Sequence, residues 1–373
     1  MSAAAPTPPT RPRGARPGPL VALVAALATA CGSDTLPSVV PPPLRLVVSE
    51  GWNGGTRLVL LDERGDRWAV VSAGRGGSPT RDEQATFSPD GRWLAFVSSR
   101  GRPVERTSLW LMPAAAGATA VRVTDGRGDD VDPTWTPDGA AVVFARRTDA
   151  TFALYRVAIA PRAGGLALGP LERLVDGPRH HLAPSVAPSG DLAYQEIDLA
   201  GSRIAVRAPD GSVTFATDGP ADATPAWRPG GGLAFARRVP RPDGTADLDL
   251  WFVTDDGAPR SLAELPGSDE SGPRWSVDGR WLFATAIARD VDGEVPSVVY
   301  LDVARAGSTP RMLRDQVGAI PRQGPAPAPV VLDGAALAEG PPFVDALDRQ
   351  WRERAFARAS AAAAADAAAD AGL

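Results

Sequence analysis

The chain has 373 residues, enough for one large repeat domain or two domains of ordinary size, and 44% of them are hydrophobic. Its formal net charge of −5 argues against general nucleic-acid binding. All of its strongly basic residues are arginines, and the absence of lysine excludes a P-loop, a Schiff base and a Ser-Lys dyad.

The first residues of the chain predict a secretory signal peptide. Met1–Pro19 is polar and rich in proline, and its arginines give it a positive charge. The apolar run Leu20–Ala30 follows, and its length suits the hydrophobic region of a signal peptide but not a membrane span. We therefore assign residues 1–30 to a signal peptide.

The end of this run predicts a lipid anchor. Ala28, Thr29 and Ala30 are small residues that directly precede Cys31, the single cysteine of the chain. This arrangement resembles the lipobox of bacterial lipoproteins, and the resemblance implies cleavage before Cys31 and lipid attachment to its sulfur and its amine. Several acyl chains anchor a protein stably, whereas one chain does so marginally. The alternative is an ordinary signal peptide that is cleaved near Ala30 and leaves Cys31 free.

Residues 31–43 predict a tether and suggest a location. Gly32–Pro43 has the composition of a semi-extended linker, which would hold the following domain away from the membrane. In proteobacterial lipoproteins, an aspartate directly after the cysteine tends to retain the protein at the inner membrane. Gly32 therefore favours the outer membrane, and we expect a lipid-anchored protein on the periplasmic side of the cell envelope.

Five copies of one turn phrase organise residues 44–340. In the clearest copy, Thr86–Arg100, an extended segment ends in an aromatic residue and a Pro-Asp-Gly turn leads into an alternating apolar strand. Glycine supplies the positive φ that such a tight turn needs. The copies recur about every 40–50 residues, which is typical of propeller blades. The five turn phrases are Phe87–Gly91, Trp135–Gly139, Val186–Gly190, Trp227–Gly231 and Trp275–Gly279.

These copies predict an all-β fold, a six-bladed β-propeller of four-stranded blades. Leu44–Gly74 fits the same template without its first strand, and it supplies the sixth blade. A propeller closes its ring by completing one blade with strands from both chain ends. Pro329–Gly334 resembles the turn phrase, so we expect it to provide the innermost strand of the first blade, with Ser38–Val40 as the competitor.

The end of the chain predicts a C-terminal helix over residues 341–360. Pro341 and Pro342 suit a helix start, and Val344, Leu347 and Trp351 recur at helical spacing. The helix would either cap the propeller or bind a partner. Residues 361–373 form a low-complexity tail of alanine and aspartate.

The repeated phrase, with a second apolar strand and a closing strand that ends near Thr-Asp-Gly, is similar to the WD-repeat-like propeller motif of the TolB family. The resemblance covers about Leu44–Gly334 and implies the fold more strongly than the function, because one propeller hosts many functions. TolB proteins are periplasmic and bind a peptidoglycan-associated lipoprotein and peptides at the channel mouth. They also carry an N-terminal α/β domain, which we expect this chain to lack. The motif also accompanies a hydrolase domain in prolyl oligopeptidase relatives, but this chain shows no Gly-x-Ser-x-Gly elbow.

A candidate site follows from the repeats. At five positions before the first residue of each turn phrase, the chain carries four carboxylates and one histidine. On a propeller these equivalent positions would surround one mouth of the central channel and form an electronegative funnel for a basic peptide or a cation. The alternative is structural, because an acid at such a place often caps a turn by accepting backbone N–H groups. The candidate binding residues are Asp82, Asp130, Asp132, His181, Asp222 and Glu270.

These residues predict no cofactor. Calcium binding stays an open alternative, because two or three adjacent loops could supply its oxygen ligands. Zinc is disfavoured, since the chain has one cysteine and its two histidines, His180 and His181, are neighbours. No motif marks a catalytic residue.

The sequence thus predicts a monomeric, lipid-anchored, non-enzymatic scaffold that binds an envelope protein or a basic peptide through an acidic channel mouth. One alternative is a metal-assisted hydrolase or polysaccharide lyase at the same mouth. Another is a sensor or assembly subunit that acts through the helix Phe343–Arg358.

Overall fold

A computed structural model describes residues 46–327 of the chain, with gaps at 53, 63–66, 73–78, 115–117, 163–164, 255–256, 289–295, 306–307 and 315–325. These residues belong to one of the two units into which the chain divides, Pro41–Leu373. The expected signal peptide, Cys31, the tether, the C-terminal helix and the tail lie outside the described residues.

All regular structure in the described residues is β-strand, arranged in six four-stranded antiparallel sheets. Five of the sheets are each built from four consecutive strands. Sheet 2 contains β4 (Asp82–Phe87), β5 (Trp93–Ser98), β6 (Ser108–Pro113) and β7 (Val121–Arg122). Sheet 3 contains β8 (Asp129–Trp135), β9 (Ala141–Arg147), β10 (Phe152–Arg162) and β11 (Gly165–Val175).

The next three sheets repeat this order. Sheet 4 contains β12 (His180–Val186), β13 (Leu192–Asp198), β14 (Gly201–Arg207) and β15 (Val213–Phe215). Sheet 5 contains β16 (Asp222–Trp227), β17 (Leu233–Pro240), β18 (Ala246–Val253) and β19 (Arg260–Ala263). Sheet 6 contains β20 (Ser268–Trp275), β21 (Trp281–Ala288), β22 (Pro296–Asp302) and β23 (Arg311–Arg314).

Sheet 1 joins the two ends of the domain. Its strands β1 (Leu46–Trp52), β2 (Gly55–Leu61) and β3 (Arg67–Ser72) come first in the chain, and β24 (Ala326–Pro327) pairs with β1. The strand that completes this sheet therefore comes from the far end of the chain, as ring closure requires. The two segments expected to supply it, Pro329–Gly334 and Ser38–Val40, lie outside the described residues, and Ala326–Pro327 occupies the place.

The first strands of the sheets follow one another around a ring. Strand β24 contacts β4, β4 contacts β8, and the series continues through β12, β16 and β20 back to β24. We call β4, β8, β12, β16 and β20 the inner strands. This circular order confirms the expected propeller with four-stranded blades.

The turn phrases adopt the conformation that their residues predict. In the first copy the Ser88 hydroxyl donates to Asp90 Oδ1 at 2.6 Å, and the amide of Gly91 donates to the Ser88 carbonyl at 2.8 Å. Gly91 has φ 71°, which glycine adopts without a steric penalty. Thr136 and Asp138 form the same hydroxyl–carboxylate bond at 2.6 Å. All five phrases lie at one end of their sheets, because each connects an inner strand to its neighbour.

Each inner strand also contains a bulge. The residue three positions before the turn phrase has a positive φ in all five copies, and the pairing register shifts at the same place. Four of these residues are not glycine, a conformation that other residues rarely adopt. The five bulge residues are Gln84 (φ 56°), Asp132 (φ 55°), Ala183 (φ 49°), Thr224 (φ 48°) and Gly272 (φ 62°).

The core lies between neighbouring sheets. Leu58 and Leu60 of sheet 1 pack with Phe96 of sheet 2, and Phe252 of sheet 5 packs with Leu282 of sheet 6. Full burial of such a side chain contributes about 1.5–3 kcal/mol. The apolar strands therefore pack sheet against sheet, as the alternating pattern predicts. No helix with the length and apolarity of a membrane span occurs among the described residues.

Candidate functional site

The structure places the five equivalent candidate residues at the start of the five inner strands. Asp82 and Asp222 open β4 and β16, and Asp130, His181 and Glu270 occupy the matching places in β8, β12 and β20. These positions lie at the end of the sheets opposite the turn phrases. Spacing alone thus located equivalent positions, although they lie on the inner strands and not on loops as expected.

None of the candidate side chains is open to solvent. Asp82, Asp130, Asp222 and Glu270 have no exposed surface, and Asp132 and His181 are also buried. They therefore present no open acidic surface in this structure. Their part in partner binding stays a prediction.

Two of the carboxylates are held by arginines. Asp222 accepts two hydrogen bonds from Arg237, at 2.6 and 2.8 Å. Asp82 accepts from Arg100 at 2.6 Å and from the Ser98 hydroxyl at 2.6 Å. Charge-assisted bonds of this kind compensate the cost of burying a carboxylate. The negative charge at these two positions is therefore neutralised inside the fold.

Asp130 accepts a backbone N–H group, as the structural alternative expects, but that group belongs to strand β6 and not to a turn. It accepts the hydroxyl of Thr124 and the backbone N–H of Leu109, the latter at 3.2 Å, and forms an ion pair with Arg146 at 3.5 Å. Burial raises the pKa of Asp130, while Thr124 and Arg146 act in the opposite direction. The side chain thus joins the last loop of sheet 2 to the start of sheet 3.

Asp132 belongs to a chain of bonds between the bulges. Gln84 Nε2 donates to Asp132 Oδ1 at 3.0 Å, and the Asp132 amide donates back to Gln84 Oε1 at 2.8 Å. The amide of Ala183 then donates to Asp132 Oδ2 at 3.0 Å. The amide of Gly272 likewise donates to Thr224 Oγ1 at 3.2 Å. Each of these bonds runs from one sheet to the next, so the bulges fasten neighbouring inner strands together.

The two histidines have separate surroundings. His181 Nε2 lies 3.6 Å from Glu196 Oε2, and burial lowers the pKa of His181 although Glu196 opposes this. His180 Nδ1 accepts from the Phe152 amide at 3.4 Å. Their rings therefore contact different neighbours. Among the described residues, no group of three His, Cys, Asp or Glu side chains could hold a metal ion.

Glu270 differs from the other acids. In the pairing register Glu270 lies opposite Ala286. The equivalent acids Asp130 and Asp222 lie opposite arginines, Arg146 and Arg237. Both carboxylate oxygens of Glu270 are buried and make no hydrogen bond of regular geometry among the described residues, although Ser268 and the Leu265 backbone partly oppose the effect of burial on the pKa. Burial raises the pKa of Glu270 to about 8. The residue therefore keeps its proton at neutral pH.

Arginines cover the buried acids at this end of the sheets. The side chain of Arg147 is 47% exposed while that of Asp129 beneath it is 11% exposed, and Arg179 is 43% exposed above Glu196 at 9%. The solvent-facing groups of these pairs are thus guanidiniums. Sequence reasoning missed this arrangement, although an arginine near the end of β5, β9 and β17 was a visible signal: Arg100, Arg147 and Arg237. We call this set the arginine rim, and it comprises Arg81, Arg100, Arg147, Arg179, Arg203 and Arg237.

Comparison with curated proteins yields a short match. The chain is 37% identical over 76 residues to the lipoprotein LpqB of Nocardia farcinica. That match covers 20% of this chain and 12% of LpqB, far less than two thirds of the relative. No family model matches the chain.

Comparison with solved structures identifies the fold. A protein assigned as TolB in Agrobacterium tumefaciens aligns with a TM-score of 0.55 at 17% identity, over 76% of this chain and 93% of that one. TolB of Acinetobacter baumannii aligns with a TM-score of 0.58 at 18% identity, over 78% of this chain and 68% of that one. Hydrazine synthase of Kuenenia stuttgartiensis aligns with a TM-score of 0.53 at 13% identity, over 77% of this chain and 47% of that one. These likenesses establish a TolB-like propeller fold.

Proposed function

We propose that this TolB-like propeller is a lipid-anchored scaffold of the cell envelope that binds an envelope protein or peptide without catalysing a reaction. The lipobox-like residues before Cys31 and the short match to a lipoprotein support the anchor. The fold shared with TolB supports the envelope location. Gly32 favours attachment on the periplasmic side of the outer membrane.

The observation that carries the binding role is the arginine rim. Six arginines lie at the same end of sheets 2–5, and each is oriented by a buried acid. A guanidinium has five N–H donors, so each arginine keeps donors beyond those bonded to its own acid, and charge-assisted bonds from these suit a carboxylate. The sequence suggested a basic peptide, but an acidic segment fits this end better, because the guanidiniums of Arg81, Arg147 and Arg179 are more exposed than the buried carboxylates that hold them.

In this proposal the candidate residues act from beneath the surface. Asp82 and Asp222 hold rim arginines directly, and His181 lies against Glu196, which holds two more. Asp130 and Asp132 fix the inner strands on which the rim stands. They contribute to binding by positioning arginines rather than by touching the partner.

Peptide binding tests the rim. Fluorescence anisotropy of the purified chain should show salt-sensitive binding of an Asp/Glu-rich peptide and none of an Arg-rich peptide. The double change Arg147→Glu and Arg179→Glu should abolish that binding. Arg92→Glu is the matched control, because Arg92 is 73% exposed at the opposite end of the sheets. Preference for the basic peptide, or equal loss in the control, would refute the proposed face.

Membrane fractionation tests the anchor separately. The full chain should label with palmitate and sediment with membranes, and Cys31→Ser should remove the label and release the protein. A Cys31→Ser chain that still sediments with membranes would contradict the anchor without bearing on the rim.

A further inference from the structure

The cleft between sheets 5 and 6 is a second candidate site, independent of the proposed scaffold function. It encloses about 350 Å³, near the lower end of the range for small-molecule sites. Arg228 and Trp275, which line it, belong to turn phrases. The cleft therefore lies at the end of the sheets opposite the arginine rim.

Two aromatic rings form a fixed wall of the cleft. Phe252 and Trp275 meet edge to face, with ring centroids 6.1 Å apart and an interplanar angle of 70°. Trp275 Nε1 donates to the Ala226 carbonyl at 3.1 Å, which holds the indole in place. An apolar or aromatic ligand body would find a preformed surface here.

Three arginines line the same cleft, and none of them has an ion-pair partner among the described carboxylates. The guanidinium of Arg228 lies 5.4 Å from the Trp275 ring centroid, and that of Arg260 lies 5.3 Å from Phe252. Arg305 is the third. Arg228 uses Nε on the Gly279 carbonyl at 2.8 Å, so its other N–H groups are available for a ligand.

The acid that lines the cleft is already neutralised. Asp302 accepts from Arg280, which lies outside the lining, at 2.9 and 3.2 Å. Arg280 holds the pKa of Asp302 below its usual range. The cleft thus carries an excess of positive charge although the whole chain has a net charge of −5.

We propose that this cleft binds a small ligand in which a carboxylate or a phosphate is attached to an apolar or aromatic body. Guanidiniums bind both oxyanions through paired hydrogen bonds. The Phe252–Trp275 wall would cover the ligand body. An inorganic anion uses the arginines alone and therefore binds more weakly.

Four small probes test the ligand class. Phenyl phosphate, benzoate, inorganic phosphate and phenol are titrated into the purified chain, and the tryptophan indole N–H resonances are followed by NMR. Saturable binding of phenyl phosphate or benzoate is expected, with inorganic phosphate weaker and phenol without effect. The tighter of the two aromatic anions identifies the oxyanion. Absence of saturation for both, or equally tight binding of phenol, would overturn the proposal.

Matched variants locate the site. Arg228→Gln and Arg260→Gln should each weaken the better probe by at least about tenfold, as expected for the loss of a charge-assisted hydrogen bond. Arg238→Gln removes the same charge from an exposed arginine of sheet 5 that does not line the cleft, and should leave affinity unchanged. Arg260 is exposed, so its variant keeps the test valid if Arg228→Gln unfolds the chain. Unchanged affinity in Arg260→Gln would place the ligand elsewhere.

Discussion

For three of the buried acids, the residue opposite on the next strand accounts for whether the acid has a charged partner. Arg146 faces Asp130 and Arg237 faces Asp222, whereas Ala286 faces Glu270. The repeat spacing was sufficient to find the acids. It could not show which were neutralised, because the bulge shifts the pairing register between the turn and the acid. An arginine therefore cannot be matched to an acid by counting from the turn alone.

Glu270→Gln should stabilise the chain in a pH-dependent manner. The native state holds the Glu270 proton up to about pH 8, whereas the unfolded chain releases it near the ordinary glutamate value. The native state thus binds more protons over that interval, and wild-type stability falls as pH rises through it. The variant should gain about 1–3 kcal/mol at pH 8.5 and little at pH 4.5 in urea unfolding.

Asp222→Asn is the matched control for this change. It makes the same carboxyl-to-amide change at the equivalent position, but leaves Arg237 without the carboxylate that holds it. Because Arg237 is partly exposed, we expect a loss of about 1–3 kcal/mol rather than the full cost of a stranded buried charge. Equal effects of the two substitutions, or a gain for Glu270→Gln that does not grow with pH, would contradict this account of Glu270.

At the scale of the element, the inner strand combines a predictable turn with an unpredicted bulge. Pro-Asp-Gly and its variants indicated the turns directly. A weaker sequence sign of the bulge is a proline directly after the bulge residue, which occurs in four of the five copies. Proline cannot donate a hydrogen bond to the strand ladder, so it favours a break in regular pairing. These prolines are Pro133, Pro184, Pro225 and Pro273.

Ala183→Gly should stabilise the chain. Ala183 has φ 49°, and a left-handed conformation costs an L-residue about 1–2 kcal/mol that glycine avoids. The larger backbone freedom of glycine in the unfolded state offsets part of this, so we expect a net gain of up to about 1 kcal/mol. The amide bond from Ala183 to Asp132 is retained.

Gly272→Ala provides the converse change at the equivalent place, where φ is 62°. It should destabilise the chain in the same chemical denaturation assay. A loss of stability for Ala183→Gly would show that the bulge is not strained at this position.

At the scale of the molecule, the sequence predicted the ring but not the residues that close it. The turn phrases indicated five sheets, and the incomplete unit near Leu44 indicated a shared sheet. The closing strand, Ala326–Pro327, has only two residues and pairs with Leu46 and Val47. Such a short segment has no periodicity to recognise, so the prediction relied on the resemblance of Pro329–Gly334 to the turn phrase.

Truncation tests the closure. A chain that ends at Pro325 loses Ala326, which is buried in the core between sheets 1 and 2, and leaves the edge of β1 unpaired. We expect a lower Tm and aggregation, since an unpaired edge readily joins another chain. A chain that ends at Gly340 serves as the control and should keep the Tm of the full chain. Equal Tm values for both truncations would show that Ala326–Pro327 does not hold the ring closed.

Because sheet 1 combines strands from both ends of the domain, it cannot be completed as soon as its first three strands are synthesised. Strand β1 is the first of the described strands to leave the ribosome, and its partner β24 is the last of them. Sheet 1 therefore keeps the edge of β1 unpaired until the other five sheets have been made. The ring can close only after Ala326–Pro327 has been made, and a nascent chain stalled before that point would expose the edge of β1.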